Sequence, residues 1–302
     1  MTVARRTVLA GALGAGLGSL LGGCSADGTS SVSVPAQTAG RPDGTVTSHA
    51  RPVGTGAVAT NPPDRRAPLS RRAIRARYDG ARPTRWGTDI PGVTTMVRAA
   101  GPVAALTFDA CGGPGGDGYD AALVDLLRAE QVPATLFLNR RWVRANPGAF
   151  ADLSSDPLFD IANHGTRHVP LSVDGRAAYR IAGTRGPGEV YDEVMGNALD
   201  LGRRLGRRIT LMRPGTAHYD DVAVSIVHDL GMVPVGFDVN GDAGATFTPR
   251  QVQAALRTVR PGSIVIAHLN HPGHGTAAGM ALALPRLRRD GYRFVHVADH
   301  LV

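Results

Sequence analysis

From residue 93 onward, short apolar runs alternate with amphipathic stretches. Seven runs read as buried strands, at residues 103–108, 134–138, 158–162, 209–212, 232–237, 263–267 and 293–297. Helical spacing lies between them: residues 119–130 put Leu123, Leu126 and Leu127 on one face, and residues 190–205 repeat Val194, Leu201 and Leu205. Thr248-Pro249-Arg250-Gln251 carries an N-cap, a proline at the first helical position and a capping-box glutamine, and so opens a helix to about residue 259. Parallel neighbours cannot be joined by a hairpin, so this alternation predicts an α/β fold with crossover helices. Seven strands and no glycine-rich phosphate fingerprint favour a distorted barrel one strand short of eight over an open doubly wound sheet. Residues 169–188 show no period and are expected to form a long loop over the site.

The chain before residue 93 reads differently. Arg5-Arg6, followed by an apolar Gly/Ala/Leu run to Leu21, has the form of an export signal of the twin-arginine type, with a general secretory signal as the alternative. Leu20-Leu21-Gly22-Gly23-Cys24 resembles a bacterial lipobox, which predicts that Cys24 carries lipid and anchors the protein to the outer face of the cell membrane; cleavage nearby and free secretion is the alternative. Residues 25–92 are rich in Ser, Thr, Gly, Pro and Arg and are expected to be a disordered tether. The predicted organisation is therefore a signal (1–24), a tether (25–92) and a folded domain (93–302).

Charge and cysteine content follow from that placement. The net charge is +8, with arginines 65, 66, 71, 72, 75 and 77 clustered in the tether. Outside the cytoplasm, nucleic acid is not an expected partner, and such a run is a solvated charge or an attraction to anionic lipid or wall polymers. Lipid on Cys24 leaves only Cys111, so no intramolecular disulfide forms and the fold rests on its core. A monomer is expected.

The reactive side chains sit where the apolar runs end. Asp109 follows the first, His164 and His168 the third, Arg213 the fourth, Asp238 and Asp242 the fifth, and His268 the sixth. In a parallel barrel the C-terminal ends of all strands share one rim, so these residues are expected to converge. Two imidazoles four residues apart lie on one side of a helical turn and can bind one metal ion. Arg213 is a permanent cation that can orient Asp109 and depress its pKa. Asp238 or Asp242 can anchor Arg213, and His268 suits general acid work. His271 and His274 read as loop residues, with a metal ligand as the alternative for either.

Thr107-Phe108-Asp109, His164-x-x-x-His168, Arg213-Pro214, Asp238-x-x-x-Asp242 and Ile264-Val-Ile-Ala-His268, in this order, resemble the five motifs of the NodB-homology polysaccharide deacetylases, carbohydrate esterase family four. The resemblance covers residues 99–302. It implies a distorted barrel of seven or eight β/α units and a hydrolase that removes N- or O-acetyl groups from a cell-wall or extracellular glycan. It further implies a divalent metal, commonly zinc, on His164 and His168, with Asp109 as general base, Arg213 orienting it, Asp238 or Asp242 supporting Arg213, and His268 as general acid. Two positions depart from the family. Ala110 stands where a second aspartate is the third metal ligand, leaving Asp117, Cys111 or Asp109 to replace it. Ala243 stands where a tryptophan walls the acetyl pocket, leaving Phe237 or Phe247 to do so. The alternative function is a catalytically weak glycan-binding lipoprotein on the same fold.

Overall fold

The computed structural model describes residues 67–301. The export signal, the lipobox with Cys24 and the tether up to residue 66 lie outside the described residues. Eight strands form one curled parallel sheet: β1 Val103–Ala110, β2 Ala134–Leu138, β3 Phe159–Asn163, β4 Leu211–Met212, β5 Val233–Pro234, β6 Val239–Asn240, β7 Ile264–His268 and β8 Arg293–Phe294. Their order is β6-β7-β1-β2-β3-β4-β5, with β8 paired to the first residues of β1. All of these pairings are parallel. Thr94 bridges Val235, just after β5, and Met96 bridges Ser263, just before β7. Each predicted apolar run contains a strand. β6 is the additional one, because its single apolar residue, Val239, stands between Asp238 and Asn240-Gly241-Asp242 and so belongs to no apolar run.

Strand alternation sorts the sheet into two faces. On β1, Ala104, Leu106, Phe108 and Ala110 face the larger core, which packs against the helices. Val103 and Ala105 belong instead to a smaller core inside the curl, with Phe137, Ala162, Leu211, Val235 and Ile264. Thr107 and Asp109 share the parity of this inner set. So do His164 relative to Ala162, Arg213 relative to Leu211, and His268 relative to Ile264. The inside of the curl is thus apolar at the base and reactive at the C-terminal rim, by alternation alone.

The helices are α1 Arg71–Arg77, α2 Ala121–Ala129, α3 Arg140–Ala145, α4 Pro147–Ser155, α5 Pro187–Leu205, α6 Asp221–Asp229, α7 Pro249–Ala255 and α8 Gly275–Arg289. α7 opens with both capping-box bonds between Thr248 and Gln251. α2 and α5 bury the leucine and valine faces read from their spacing. No helix among the described residues is long and apolar enough to cross a membrane.

Among the described residues, ordered structure reaches back before residue 93. Within the segment read as tether, Ser70 caps α1 and Ile74 is fully buried. Arg71 makes two 2.8 Å bonds to Asp192 of α5, and Tyr78 donates to Asp229 at 2.7 Å. One apolar anchor in seven residues is too little to register as a pattern. It suffices here because α5 and α6 supply the acidic partners, so this half of the basic run is in part a docked helix.

Candidate metal and acid–base site

Asp109 ends β1 almost fully buried. Its Oδ1 accepts from Arg213 Nη1 at 2.8 Å, and its Oδ2 lies 3.6 Å from His164 Nε2. Burial pushes the carboxyl pKa up, but the neighbouring His164 and Arg213 charges outweigh burial and hold it below its ordinary value. Arg213 is itself fully buried. Beyond Asp109 it donates to Thr107 Oγ1 (2.9 Å), Gly236 O (2.8 Å) and Val235 O (3.4 Å), and it lies 4.1 Å from the Phe137 ring centroid. Carbonyls and a hydroxyl therefore position the guanidinium.

Neither later aspartate does so. Asp238 accepts from Ser263 Oγ at 2.8 Å, Ile264 N at 2.9 Å and Arg260 Nε at 3.3 Å, beside the start of β7. The unforeseen strand β6 explains the difference: Asp238 precedes it and Asp242 follows it, so the two acids occupy opposite rims. Asp242, fully buried on the reactive rim, accepts from His268 Nδ1 (2.9 Å), His268 N (2.7 Å) and Thr276 Oγ1 (2.9 Å). The expectation that Asp238 or Asp242 anchors Arg213 is corrected: Asp242 orients His268, and Asp238 ties the opposite end of the sheet. Burial draws the His268 pKa down, but the Asp242 carboxylate and Cys111 together raise it well above its ordinary value.

His164 and His168 are brought together, with ring centroids 4.9 Å apart at 74°. No helical turn does this. Gly165 (φ 80°) and His168 (φ 63°) are both left-handed, and they fold the segment back on itself. A Cβ on Gly165 would collide with Glu193 Oε1. That fully buried carboxylate of α5 accepts from the backbone N–H of Thr166 (2.9 Å), Arg167 (2.9 Å) and His168 (3.0 Å). Asn139 Nδ2 donates to His164 O and Gly165 O, both at 2.9 Å. Sequence reading missed Glu193, whose only trace is one of two adjacent acids, Asp192 and Glu193, between Val190 and Val194. Glu193→Gln keeps one oxygen but loses the charge and sets an amide NH2 where Oε2 accepts from Arg167 N and Nε, and it is expected to weaken divalent-metal affinity about 10- to 100-fold, as loss of a supporting group does elsewhere. Competition with a chromophoric chelator reads this directly, and wild-type affinity would show the loop to hold without Glu193.

His164 Nδ1 lies 2.8 Å from the carbonyl of Arg213. A carbonyl only accepts, so Nδ1 carries a proton, and Nε2 is the nitrogen left for a metal. Nε2 faces Cys111 Sγ at 3.8 Å. Donor atoms of Cys111, His164 and His168 all lie within 4.8 Å of one another. Alternation again supplies the reason. Ala110 points outward into the larger core and is fully buried there, while Cys111, two residues after Asp109, returns to the inner face. Burial raises the Cys111 thiol pKa, but the surrounding imidazoles lower it well below its ordinary value. Asp117, another candidate third ligand, instead accepts from Gly113 N at 2.7 Å and shapes the glycine turn. Gly112 (φ 70°) passes so close to the backbone of Trp142 that no Cβ fits there. The donor set of two imidazoles and one thiolate suits a divalent metal, zinc above all.

These groups line one cavity of about 410 Å³, which also includes Phe237, Ile266 and Tyr179. Phe237, not Phe247, stands on its wall; Phe247 packs against the larger core. His271 and His274 lie outside the metal-ligand cluster, with His274 Nδ1 bonded to Ala245 O at 2.8 Å.

Residues 97–235 match the polysaccharide deacetylase family. The matched stretch contains Asp109, His164, His168 and Arg213, and it ends before Asp242 and His268. An uncharacterized protein of Streptomyces coelicolor is 29% identical over 229 residues, covering 74% of this chain and 81% of its own. A peptidoglycan-N-acetylglucosamine deacetylase of Bacillus cereus is 25% identical over 207 residues, covering 66% and 88%. The structure of a CE4 family pseudoenzyme from Bacillus anthracis shares the fold, with a TM-score of 0.57 at 21% identity over 71% of this chain and 70% of that one.

Proposed function

We propose that this chain, whose residues 97–235 belong to the polysaccharide deacetylase family of NodB-homology type, is a hydrolase that removes acetyl groups from N-acetylated sugars of a cell-wall or extracellular polysaccharide. One observation carries this reading. A charged, buried carboxylate, a Cys-His-His donor set and a carboxylate-oriented imidazole converge on a single cavity.

Cys111, His164 and His168 would hold the metal, with zinc as the proposed ion. When bound, it supplies Lewis acidity toward an acetyl carbonyl and lowers the pKa of a water. The chain's own groups divide the proton work. Asp109 Oδ1 is occupied by Arg213, so Oδ2 is the atom free to take a proton from the attacking water. His268, with Nδ1 committed to Asp242, keeps Nε2 for the departing nitrogen, and the Asp242 carboxylate favours its protonated form. The inner apolar core closes the base of the cavity to solvent.

The test is release of acetate from N-acetylglucosamine polymers and peptidoglycan by the zinc-loaded protein. No release with zinc, cobalt or nickel would favour the second reading, glycan binding without turnover, which the displacement of the third ligand from position 110 to 111 keeps in view. Asp242→Asn gives a further check. A group that must be protonated loses activity as pH rises through its pKa, and this substitution removes the carboxylate that raises it. The alkaline limb of kcat/KM is therefore expected to move to lower pH, with the acid limb in place. An unmoved alkaline limb would show that His268 is not the acid.

We further propose export and lipid anchoring through Arg5-Arg6 and Cys24. Fatty-acid labelling that persists in Cys24→Ala would refute the anchor.

A further inference from the structure

Residues 177–182 form a small antiparallel hairpin, Ala177–Ala178 against Ile181–Ala182. Its two turn residues, Tyr179 (φ 50°) and Arg180 (φ 65°), are both left-handed. Tight hairpin turns of this kind are made by preference from Asn-Gly, because a bulky side chain is crowded there. The hairpin is held by its surroundings: Gly183 N donates to Arg176 O, Gly175 N to Thr184 O, and Thr184 N to Pro170 O, each at 3.1 Å. A strained turn retained at a cavity mouth points to what it presents.

It presents Tyr179, which lines the cavity and is nevertheless 78% exposed. Its ring meets His218 edge-on, with centroids 5.5 Å apart at 90°. His218 in turn lies 5.5 Å from Trp86 at 42°. Tyr179 belongs to the cavity wall, whereas His218 and Trp86 stand beyond it, so three rings lead outward from the mouth. The row is fixed at its middle, where His218 Nδ1 donates to Thr216 O at 2.6 Å. Thr216 is left-handed (φ 68°) and lines the cavity, and its hydroxyl is shielded from solvent without a partner among the described residues.

We propose that Tyr179, His218 and Trp86 form an accessory subsite for the sugar units adjoining the one that is deacetylated. This rests on the deacetylase reading above. A pyranose ring has one face of C–H groups and a rim of hydroxyls, so it matches an exposed amphipathic aromatic face, with the C–H groups on the ring and the hydroxyls in water or against the phenol oxygen. A row of rings extends this match along a polymer. The subsite therefore selects oligomers over monosaccharides.

The test compares binding of the N-acetylglucosamine tetramer and the monosaccharide to the full chain by calorimetry, with acetate release measured alongside. The tetramer is expected to bind at least about tenfold more tightly than the monosaccharide, and Tyr179→Ala to remove about tenfold of tetramer affinity, a loss that appears in KM rather than kcat. Tyr179→Phe restores it. The double variant Y179N/R180G gives the turn its preferred residues, and is expected to raise the melting temperature while losing tetramer affinity. A merely structural Tyr179 would not produce that combination. Equal tetramer affinity in Tyr179→Ala and wild type, or no preference for the tetramer, overturns the subsite. Tyr179-dependent tetramer binding without acetate release overturns the deacetylase reading and leaves the subsite standing.

Discussion

Cobalt-loaded protein is expected to show a near-ultraviolet thiolate-to-metal charge-transfer band that is absent from Cys111→Ser. Cys111 Sγ faces His164 Nε2, and its thiol is already biased toward the thiolate by the imidazoles around it. Removing one of three protein ligands should lower divalent-metal affinity at least about 100-fold, beyond what loss of a supporting group costs. Cys111→Asp supplies a charged oxygen on the same inner parity, and is expected to recover part of the affinity without the band. Ala110→Asp should not recover it. Position 110 points into the larger core and is fully buried, so a carboxylate there is unpaired and costs at least about 3 kcal/mol of stability. Denaturant unfolding measures this cost. A metal site restored by Ala110→Asp, with stability intact, would show that the strand end can rotate and that alternation does not decide the ligand.

Asp109→Asn should lower kcat by about 10²- to 10⁴-fold, the range for loss of a positioned general base, with metal content unchanged. Asparagine keeps an oxygen for Arg213 Nη1, so the fold should tolerate the change. Arg213→Met should behave otherwise. It leaves the buried Asp109 charge without its 2.8 Å partner and takes away the donor to Gly236 O, so it is expected to cost about 3 to 5 kcal/mol of stability as well as activity. Unfolding by denaturant and acetate release, measured on both variants, separate the roles. A fully active Asp109→Asn would place the base elsewhere, and an Arg213→Met protein as stable as wild type would show that the pair is not what holds the rim.

The parts legible in the sequence were those written in local periods. Seven apolar runs identified the sheet, and the first reactive residue beyond four of them identified Asp109, His164, Arg213 and His268 as rim groups, because alternation along a strand is a local property. The capping box of α7 was equally plain. The errors lay where a period is too short to see. Missing the two-residue β6 put Asp238 and Asp242 on one rim, when the strand between them carries them to opposite ends. One buried isoleucine did not reveal that α1 is docked on α5.

What the sequence by itself determined is the kind of chemistry: one family's motifs in order, two histidines, a carboxylate and a missing ligand at Ala110. Among the three candidates for that ligand the sequence does not choose; the fold turns Ala110 outward, ties Asp117 into the glycine turn and brings Cys111 to the histidines, which is why Cys111 is the one proposed. Glu193 and Tyr179 belong to the same class. Each acts on residues brought near it by the fold, Glu193 through the N–H groups of residues 166–168 and Tyr179 beside His218 and Trp86. Such pairings depend on how distant segments meet in space, which no local pattern encodes, and so only the tertiary structure decided them.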